Sequence, residues 1–413
     1  RPTPRAEPAR SGNLRGVKAL RFSRKEGRYA AAMAASRLRA GAGAVVGPLS
    51  LIDDDAPELP TPDWVRVYPR LAGICGSDLS TVDGHASRYF EHLVSFPFIP
   101  GHEVVGDTDD GRRVVLDPVL GHAARGFEPP FEGAQPGDGD DYRHLTTGDL
   151  EPGIQTGFCE TTGGAWSTEF VAHPSQLHEV PDWMSDELAV LMEPVAGGVH
   201  AALRAKVANG DTVAVIGAGT MGLVTVAALR HLTSPGSILI GAKYPIQRQL
   251  AEEFGADVVC APDELSRAVR RATGSFMIDG RLSGGADIVI DAVGSQQSIE
   301  AAIGMCRPRG RVVLLGMPSV VELDLTALWH RETELIGTYT YGSETTDDGR
   351  RTSSFELAFE LAGKVPFDKM LSATYPLARY VDAIAHAAES GTRGGVKVAF
   401  DMRDEKRRGI DDS

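Results

Sequence analysis

Thr212 to Gly222 reads TVAVIGAGTMG and runs on into LVTVAALRHL. A β-branched apolar run ends in Gly217, Gly219 and Gly222, and an apolar helical pattern follows. This is the order of a nucleotide-binding strand, turn and helix. Gly217 makes the tight turn, Gly219 lets the backbone approach a pyrophosphate, and Gly222 lets helix and strand pack closely, while the unpaired N–H groups of the helix start, at Thr220 and Met221, face the phosphates. A G-x-G-x-x-G pattern alone is a weak signal, but a strand before it and a helix after it make it a strong one.

The rest of the chain is arranged around that unit. From Thr212 onward strand and helix patterns alternate: TVAVI and its helix, SILIG and PIQRQLAEEF, ADVVC and DELSRAVRRA, ADIVIDAVG and SIEAAIGMC, then RVVLLGM. Such alternation predicts a doubly wound parallel sheet covered by helices on both faces. Before it, from Val17 to about Val180, short β-like runs (VKALRFS, DWVRVYPRLAGI, EVVGD, RRVVLDPV, AWSTEFVAHP) are separated by Gly, Pro and Asp clusters. Within them Ala123 to Thr162 offers no strand or helix and reads as a long surface lobe. SDELAVLMEPVAGGVHAALRAKV is helical, with Ser185 as N-cap. After Thr338 come helices around Ser354–Ala362 and Leu377–Glu389 and a last strand, VKVAF, expected to return to the first domain.

With 413 residues, 42% of them hydrophobic, two domains with real cores are expected. The formal charge of −14 disfavours a general nucleic-acid partner. Cys75, Cys159, Cys260 and Cys306 form no C-x-x-C pair, which suits a reducing, cytoplasmic setting. No apolar stretch approaches the roughly 20 residues that span a bilayer, so no membrane partner is expected. The N-terminal Arg- and Pro-containing stretch and the final DMRDEKRRGIDDS read as solvated tails.

Chemistry concentrates in three segments: GICGSD with Cys75, Ser77 and Asp78; PGHEVVGD with His102 and Glu103; and LMEPVAGGVHA with Glu193. A thiolate, an imidazole and carboxylates drawn from distant positions are a donor set that suits a zinc ion with one position left open. Singly, each residue has a plainer explanation, as a small buried hydrophobe, a hydrogen-bonded histidine or a helix-start carboxylate.

Together with the glycine turn, these segments resemble the zinc-containing medium-chain dehydrogenase/reductase family of alcohol, polyol and threonine dehydrogenases, over about Val17 to Phe400. The resemblance implies an α/β protein in which a GroES-like, β-rich catalytic domain is split around a Rossmann dinucleotide domain. The corresponding boundaries are a tail over 1–16, catalytic domain over 17–196, dinucleotide domain over 197–337, and a return over 338–413. It implies one catalytic zinc held by Cys75, His102 and Glu193, with Glu103 ligating directly or exchanging with water. Asp78 would orient His102, and Ser77 would relay the alcohol proton. Ser80 stands where some relatives have a histidine in that relay, leaving His85 and His92 as possible substitutes. The implied mechanism is Lewis-acid activation of an alcohol with hydride transfer to nicotinamide C4, reversed for a carbonyl. Many relatives hold a second, structural zinc with four cysteines in the lobe; here that stretch is ARGFEPPFEGAQPGDGDDYRH, and no structural zinc is expected.

An acid at the end of the second strand of a dinucleotide fold bonds the ribose 2′-OH of NAD. Here SILIG runs into Ala242, Lys243 and Tyr244 instead, similar to NADP-using relatives, with Lys243 and Arg248 as cations and Tyr244 as an adenine platform. NADP(H) is expected over NAD(H). Asp291, Val293 and Gly294, with Leu315 and Gly316, fall at later strand ends and would line the nicotinamide site. Tyr89, Phe90, Phe96 and Phe98 are either pocket wall or core. The family analogy favours a secondary alcohol, polyol or sugar-like substrate, and a homo-oligomer, dimer or tetramer. Two rivals stand beside this reading: a zinc-free NADPH-dependent ene or quinone reductase of the same fold, and a non-catalytic nucleotide-binding protein.

Overall fold

The structure, a computed structural model, describes residues 16–404. The two tails expected at the ends lie outside the described residues, apart from Gly16 and residues 401–404. Among the described residues no helix is long and apolar enough to cross a membrane.

The dinucleotide unit is a six-stranded sheet in the order Val258–Cys260, Ser237–Gly241, Thr212–Ile216, Ala286–Asp291, Cys306–Leu314, Glu334–Gly337, with every neighbouring pair parallel. Strands buried on both faces must be apolar throughout, and Val213, Val215, Ile238, Ile240, Val289, Ile290, Val312 and Val313 are all buried. Parallel neighbours put every carboxyl end on one edge. Gly217, Ala242, Val293 and Leu315 therefore come to the same rim, where open sheets bind ligands.

The β-rich unit is built on strands Leu371–Tyr375, Lys397–Asp401, Val65–Gly73, Val104–Thr108, Arg113–Leu116 and Leu177–Glu179, in that spatial order, with Phe170–Ala172 also on Val65–Gly73. The last strand of the chain pairs with an early one, Ala399 opposite Gly73. The chain thus has a GroES-like part and a Rossmann-like part, a two-domain α/β fold. Helix Met192–Arg204 connects them and packs against helix Thr220–Leu232.

Two features depart from the sequence reading. The first is helical structure inside the β-like N-terminal region: Glu26–Ser36 and Gly43–Val46 lie between paired strands Gly16–Phe22 and Leu49–Asp55. Its alanine-rich sequence, EGRYAAAMAAS, favours helix through low side-chain entropy loss, but only Ala32 is buried, so the apolar stripe that marks most helices is faint. The second is the lobe, which is less of a surface loop than expected. Ala124, Leu150 and Cys159 are buried with Trp64, Leu120 and Val171, and the short turns Ala123–Arg125 and Arg143–Thr146 punctuate it.

Candidate active site

Cys75 precedes helix Gly76–Val82, whose first turn carries Ser77 and Asp78. Asp78 reaches back so that its Oδ2 accepts the Cys75 N–H at 3.0 Å. His102 and Glu103 lead into the neighbouring strand, Val104–Thr108. Cys75, His102 and Glu103 each place a ligand atom within 4.8 Å of the others, the one such group found among the described residues.

The polar chemistry of this pocket is incomplete without a cation. Asp78 is 1% exposed, His102 3% and Glu103 1%, yet Asp78 Oδ1, His102 Nδ1 and Glu103 Oε2 are buried without a hydrogen-bond partner. A buried polar atom left unpaired costs about 1–3 kcal/mol; Asp78 Oδ1 and His102 Nδ1 at least face each other, so Glu103 Oε2 is the atom that calls for a ligand. Asp78 Oδ1 stands 3.5 Å from His102 Nδ1, and Ser77 Oγ 3.5 Å from Nε2. The carboxylate thus faces one ring nitrogen, and Nε2 is left for the side of the site that Ser77 borders. Burial disfavours a charged His102, but Asp78 and Cys75 outweigh it and raise its pKa well above the usual range. The donor set of sulfur, nitrogen and oxygen fits zinc.

Glu193 lies in the first turn of helix Met192–Arg204 and is not one of the three. Its Oε1 accepts the Tyr341 hydroxyl at 2.9 Å. Burial lifts its pKa to about 7, the charge of His102 opposing and that of Glu103 adding to the shift. Electrostatically it belongs to the site, while its hydrogen bond turns it toward Tyr341.

Two residues that sequence reasoning passed over complete the surroundings. Lys397, 3% exposed, places Nζ 2.5 Å from Glu103 Oε1; burial pulls its pKa down, but the Glu103 carboxylate outweighs burial and the pKa is raised. A lysine in an otherwise apolar final strand, VKVAF, was the available signal. Tyr341 is buried edge-on against Phe355, ring centroids 4.9 Å apart, and nothing local in GTYTYG distinguishes it.

At the sheet rim, Gly217 adopts φ +94°, and a Cβ on Gly222 would stand 1.9 Å from the Gly217 carbonyl oxygen. Gly219 is the N-cap of helix Thr220–Leu232, whose first turn carries Thr220 and Met221. Ala242 is buried and Lys243 exposed. The Arg248 guanidinium donates to the Ala242 carbonyl at 3.0 Å. The Tyr244 ring packs so closely on Gly391 that a Cβ there would lie 2.2 Å away, and Lys243 Nζ sits 5.4 Å from its centroid. Asp291 acts as a scaffold. Its Oδ1 accepts the N–H groups of Val293 and Gly294, and its carbonyl accepts those of Leu315 and Gly316, which fixes both loops at this rim. Of the candidate aromatics, Phe98 is core, stacked on Phe22, whereas Tyr89 and Phe90 are exposed.

A family model described as zinc-binding dehydrogenase matches residues 220–354, and one described as alcohol dehydrogenase GroES-like domain matches residues 61–182, together more than half of the chain. The chain belongs to the zinc-dependent medium-chain dehydrogenase family. L-Idonate 5-dehydrogenase of Vitis vinifera is 26% identical over 368 residues, covering 82% of this chain and 88% of that protein. Sorbitol dehydrogenase of Homo sapiens is 28% identical over 305 residues, with 71% and 79% covered. The crystal structure of 2R,3R-butanediol dehydrogenase from Bacillus subtilis superposes with a TM-score of 0.65 over 93% of this chain and 99% of that one, at 20% identity, a likeness of fold. Membership makes the chain an oxidoreductase, a dehydrogenase of a family that uses zinc and a nicotinamide cofactor.

Proposed function

We propose that the chain transfers hydride between NADP(H) and a secondary alcohol, of polyol or sugar-like type, and its carbonyl. The observation that carries this reading is the buried Cys75–His102–Glu103 group with its unpartnered polar atoms, beside a Rossmann rim. The names of the relatives above, all acting on secondary-alcohol or polyol substrates, support the substrate class.

Cys75, His102 and Glu103 would hold the metal, with Glu193 as an alternative ligand or as acceptor for a substrate hydroxyl. A zinc ion bound there supplies Lewis-acid stabilisation of the alcohol oxygen. Asp78 holds the imidazole in orientation from the Nδ1 side. Ser77 Oγ, next to Nε2, takes the alcohol proton and passes it outward. Lys397 compensates the Glu103 charge. Gly217, Gly219 and Gly222 admit the pyrophosphate, and the loops bonded to Asp291 present Val293, Leu315 and Gly316 to the nicotinamide.

NADP(H) preference is supported by the absence of an acid after Ser237–Gly241 and by the exposed Lys243 beside Arg248. A homo-oligomer is supported by the sheet edge at Glu334–Gly337 together with exposed Met317, Val320 and Trp329 nearby in sequence. Elemental analysis with NADPH and NADH titration tests the reading. About one zinc per chain and tighter NADPH are expected from a single site of this donor set; no zinc in cofactor-binding protein would favour the zinc-free reductase. Lys243→Ala should weaken NADPH about tenfold or more and NADH little; equal losses would make Lys243 a bystander.

A further inference from the structure

Residues 23–48 join two strands that already face each other, Phe22 standing opposite Leu49. Such a hairpin closes with about two to five residues, so this stretch is an insert the strand pair does not require. It folds as helix Glu26–Ser36 and helical turn Gly43–Val46, and it is gripped by the chain that leaves the Cys75 helix. Asp83, the first residue after Gly76–Val82 and 6% exposed, accepts the Gly41 N–H on Oδ2 at 2.7 Å and the Gly43 N–H on Oδ1 at 2.9 Å. Charge-assisted bonds in so dry a place are among the stronger ones a fold makes.

The fit leaves no spare room. A Cβ on Gly43 would lie 2.0 Å from the Val82 carbonyl oxygen. Ser36 Oγ donates to the Asp83 carbonyl at 3.2 Å and lies 2.9 Å from His85 Nε2. At the start of the insert Arg24 pairs with Glu91 at 3.2 Å and lies 6.0 Å from the Phe96 ring centroid. Every one of these contacts falls on residues 82–96, the span that carries the chain from the Cys75 helix toward His102. In its middle stand exposed Tyr89 and Phe90, edge to face at 5.4 Å.

We propose that residues 23–48 are a specificity element of the alcohol site, and that Asp83 is the positioning residue through which this insert sets the stretch 84–96 and its Tyr89–Phe90 pair as the wall a substrate meets. A wall whose one regular element is the six-residue 3-10 turn Arg88–Leu93 opens locally at low cost, so what it rests on decides its shape. Pocket walls discriminate among substrates by about 10- to 200-fold per methylene, and a wall that wanders loses that discrimination. The inference rests on the dehydrogenase reading above.

Asp83→Asn keeps the side-chain shape, removes the charge and, because an amide has one acceptor oxygen, breaks one of the two bonds by setting an NH2 donor against a backbone N–H. The full chain would be assayed for kcat and KM across secondary alcohols of increasing length, for zinc content, for NADPH affinity and for amide hydrogen exchange. Zinc and NADPH affinity should stay as in the parent, KM for the best alcohol should rise about tenfold with kcat within about threefold, and preference among alcohols should flatten. Exchange at Gly41, Gly43 and residues 84–93 should quicken while residues 102–108 stay protected. Ser36→Ala, which removes only the outer tie, should give the same pattern more weakly and serves if Asp83→Asn fails to fold. Unchanged substrate preference despite quickened exchange would overturn the specificity role, and unchanged exchange in both variants would overturn the positioning role. A parent chain that turns over no alcohol would overturn the dehydrogenase reading instead, while exchange would still decide whether Asp83 holds the wall.

Discussion

Two buried polar centres in the β-rich part of the molecule are finished in opposite ways. In the lobe, the Arg125 guanidinium, 1% exposed, donates to the carbonyls of Leu120, Thr147, Leu150, Glu151 and Gly153 at 2.6–3.4 Å. All five of its N–H donors are used, and a strand-poor stretch is thereby gathered around a charge the chain itself carries. At Cys75, His102 and Glu103 the donors for a cation are assembled, yet Asp78 Oδ1, His102 Nδ1 and Glu103 Oε2 keep no partner. A structural centre is complete on folding; in the functional one Asp78 Oδ1 and His102 Nδ1 face only each other, at 3.5 Å, and Glu103 Oε2 is left open. His178 Nε2 is also unpartnered but stands outside any group of ligand atoms, so convergence of donors, and not an orphan atom, marks the site.

The comparison breaks most sharply at Arg125. Arg125→Met leaves five carbonyls to find water or go unpaired, and should cost about 4 kcal/mol in chemical denaturation. Cys75→Ala should change metal-free stability by only about 1 kcal/mol while abolishing zinc binding and turnover. An Arg125→Met protein as stable as the parent would show that the lobe is held by its apolar cluster alone.

Lys397 is the lysine built into the open centre, paired with Glu103. Lys397→Met leaves Glu103 as an unpaired buried charge, which should destabilise metal-free protein by about 3 kcal/mol. Zinc should then raise the melting temperature of the variant more than that of the parent, because the ion replaces a compensating charge. Equal zinc shifts would place Glu103 outside the field of the metal.

His178 tests the cost of an orphan atom without a neighbouring donor set. Its ring stacks on Phe355 at 4.4 Å and 10°, and burial lowers its pKa to about 4, Glu356 opposing slightly. The neutral form is the folded form. Its contribution is therefore fully present above the unfolded value near 6.5 and is lost as pH falls from there toward 4, by at most about 3 kcal/mol. Melting curves from pH 7 to pH 4.5 should fall less steeply for His178→Phe than for the parent, and parallel curves would mean that His178 titrates normally.

How much of this was legible in the sequence follows from the distances over which the chain must act. The parallel sheet was legible because strands buried on two faces are written as unbroken apolar runs. Cys75, His102 and Glu103 were legible because each sits in a short motif whose chemistry is unusual for its setting. The helix Glu26–Ser36 was missed because a helix that buries one alanine leaves little periodic trace. Lys397 and Tyr341 were missed for another reason: their partners lie 294 and 148 residues away, and no local pattern encodes such a contact.

Tyr341 gives the smallest and most specific test. Thr340, just before it, has φ +54°, a costly conformation for a β-branched residue. The neighbouring Ser343 is held by Asp138 of the lobe, its N–H at 3.0 Å and its hydroxyl at 2.6 Å. The strained turn and the lobe together fix the short stretch that carries the Tyr341 hydroxyl to Glu193, so the lobe helps to position the open centre. Burial and the Glu193 charge raise the Tyr341 pKa well above its usual value, so the phenol remains a donor. Tyr341→Phe removes one hydrogen bond to a carboxylate and should lower kcat/KM about tenfold, zinc content and stability being nearly unchanged. If Glu193 is a metal ligand in the working enzyme, the freed carboxylate should bind zinc more tightly in Tyr341→Phe. If it serves the substrate, zinc affinity should stay constant and KM should carry the loss.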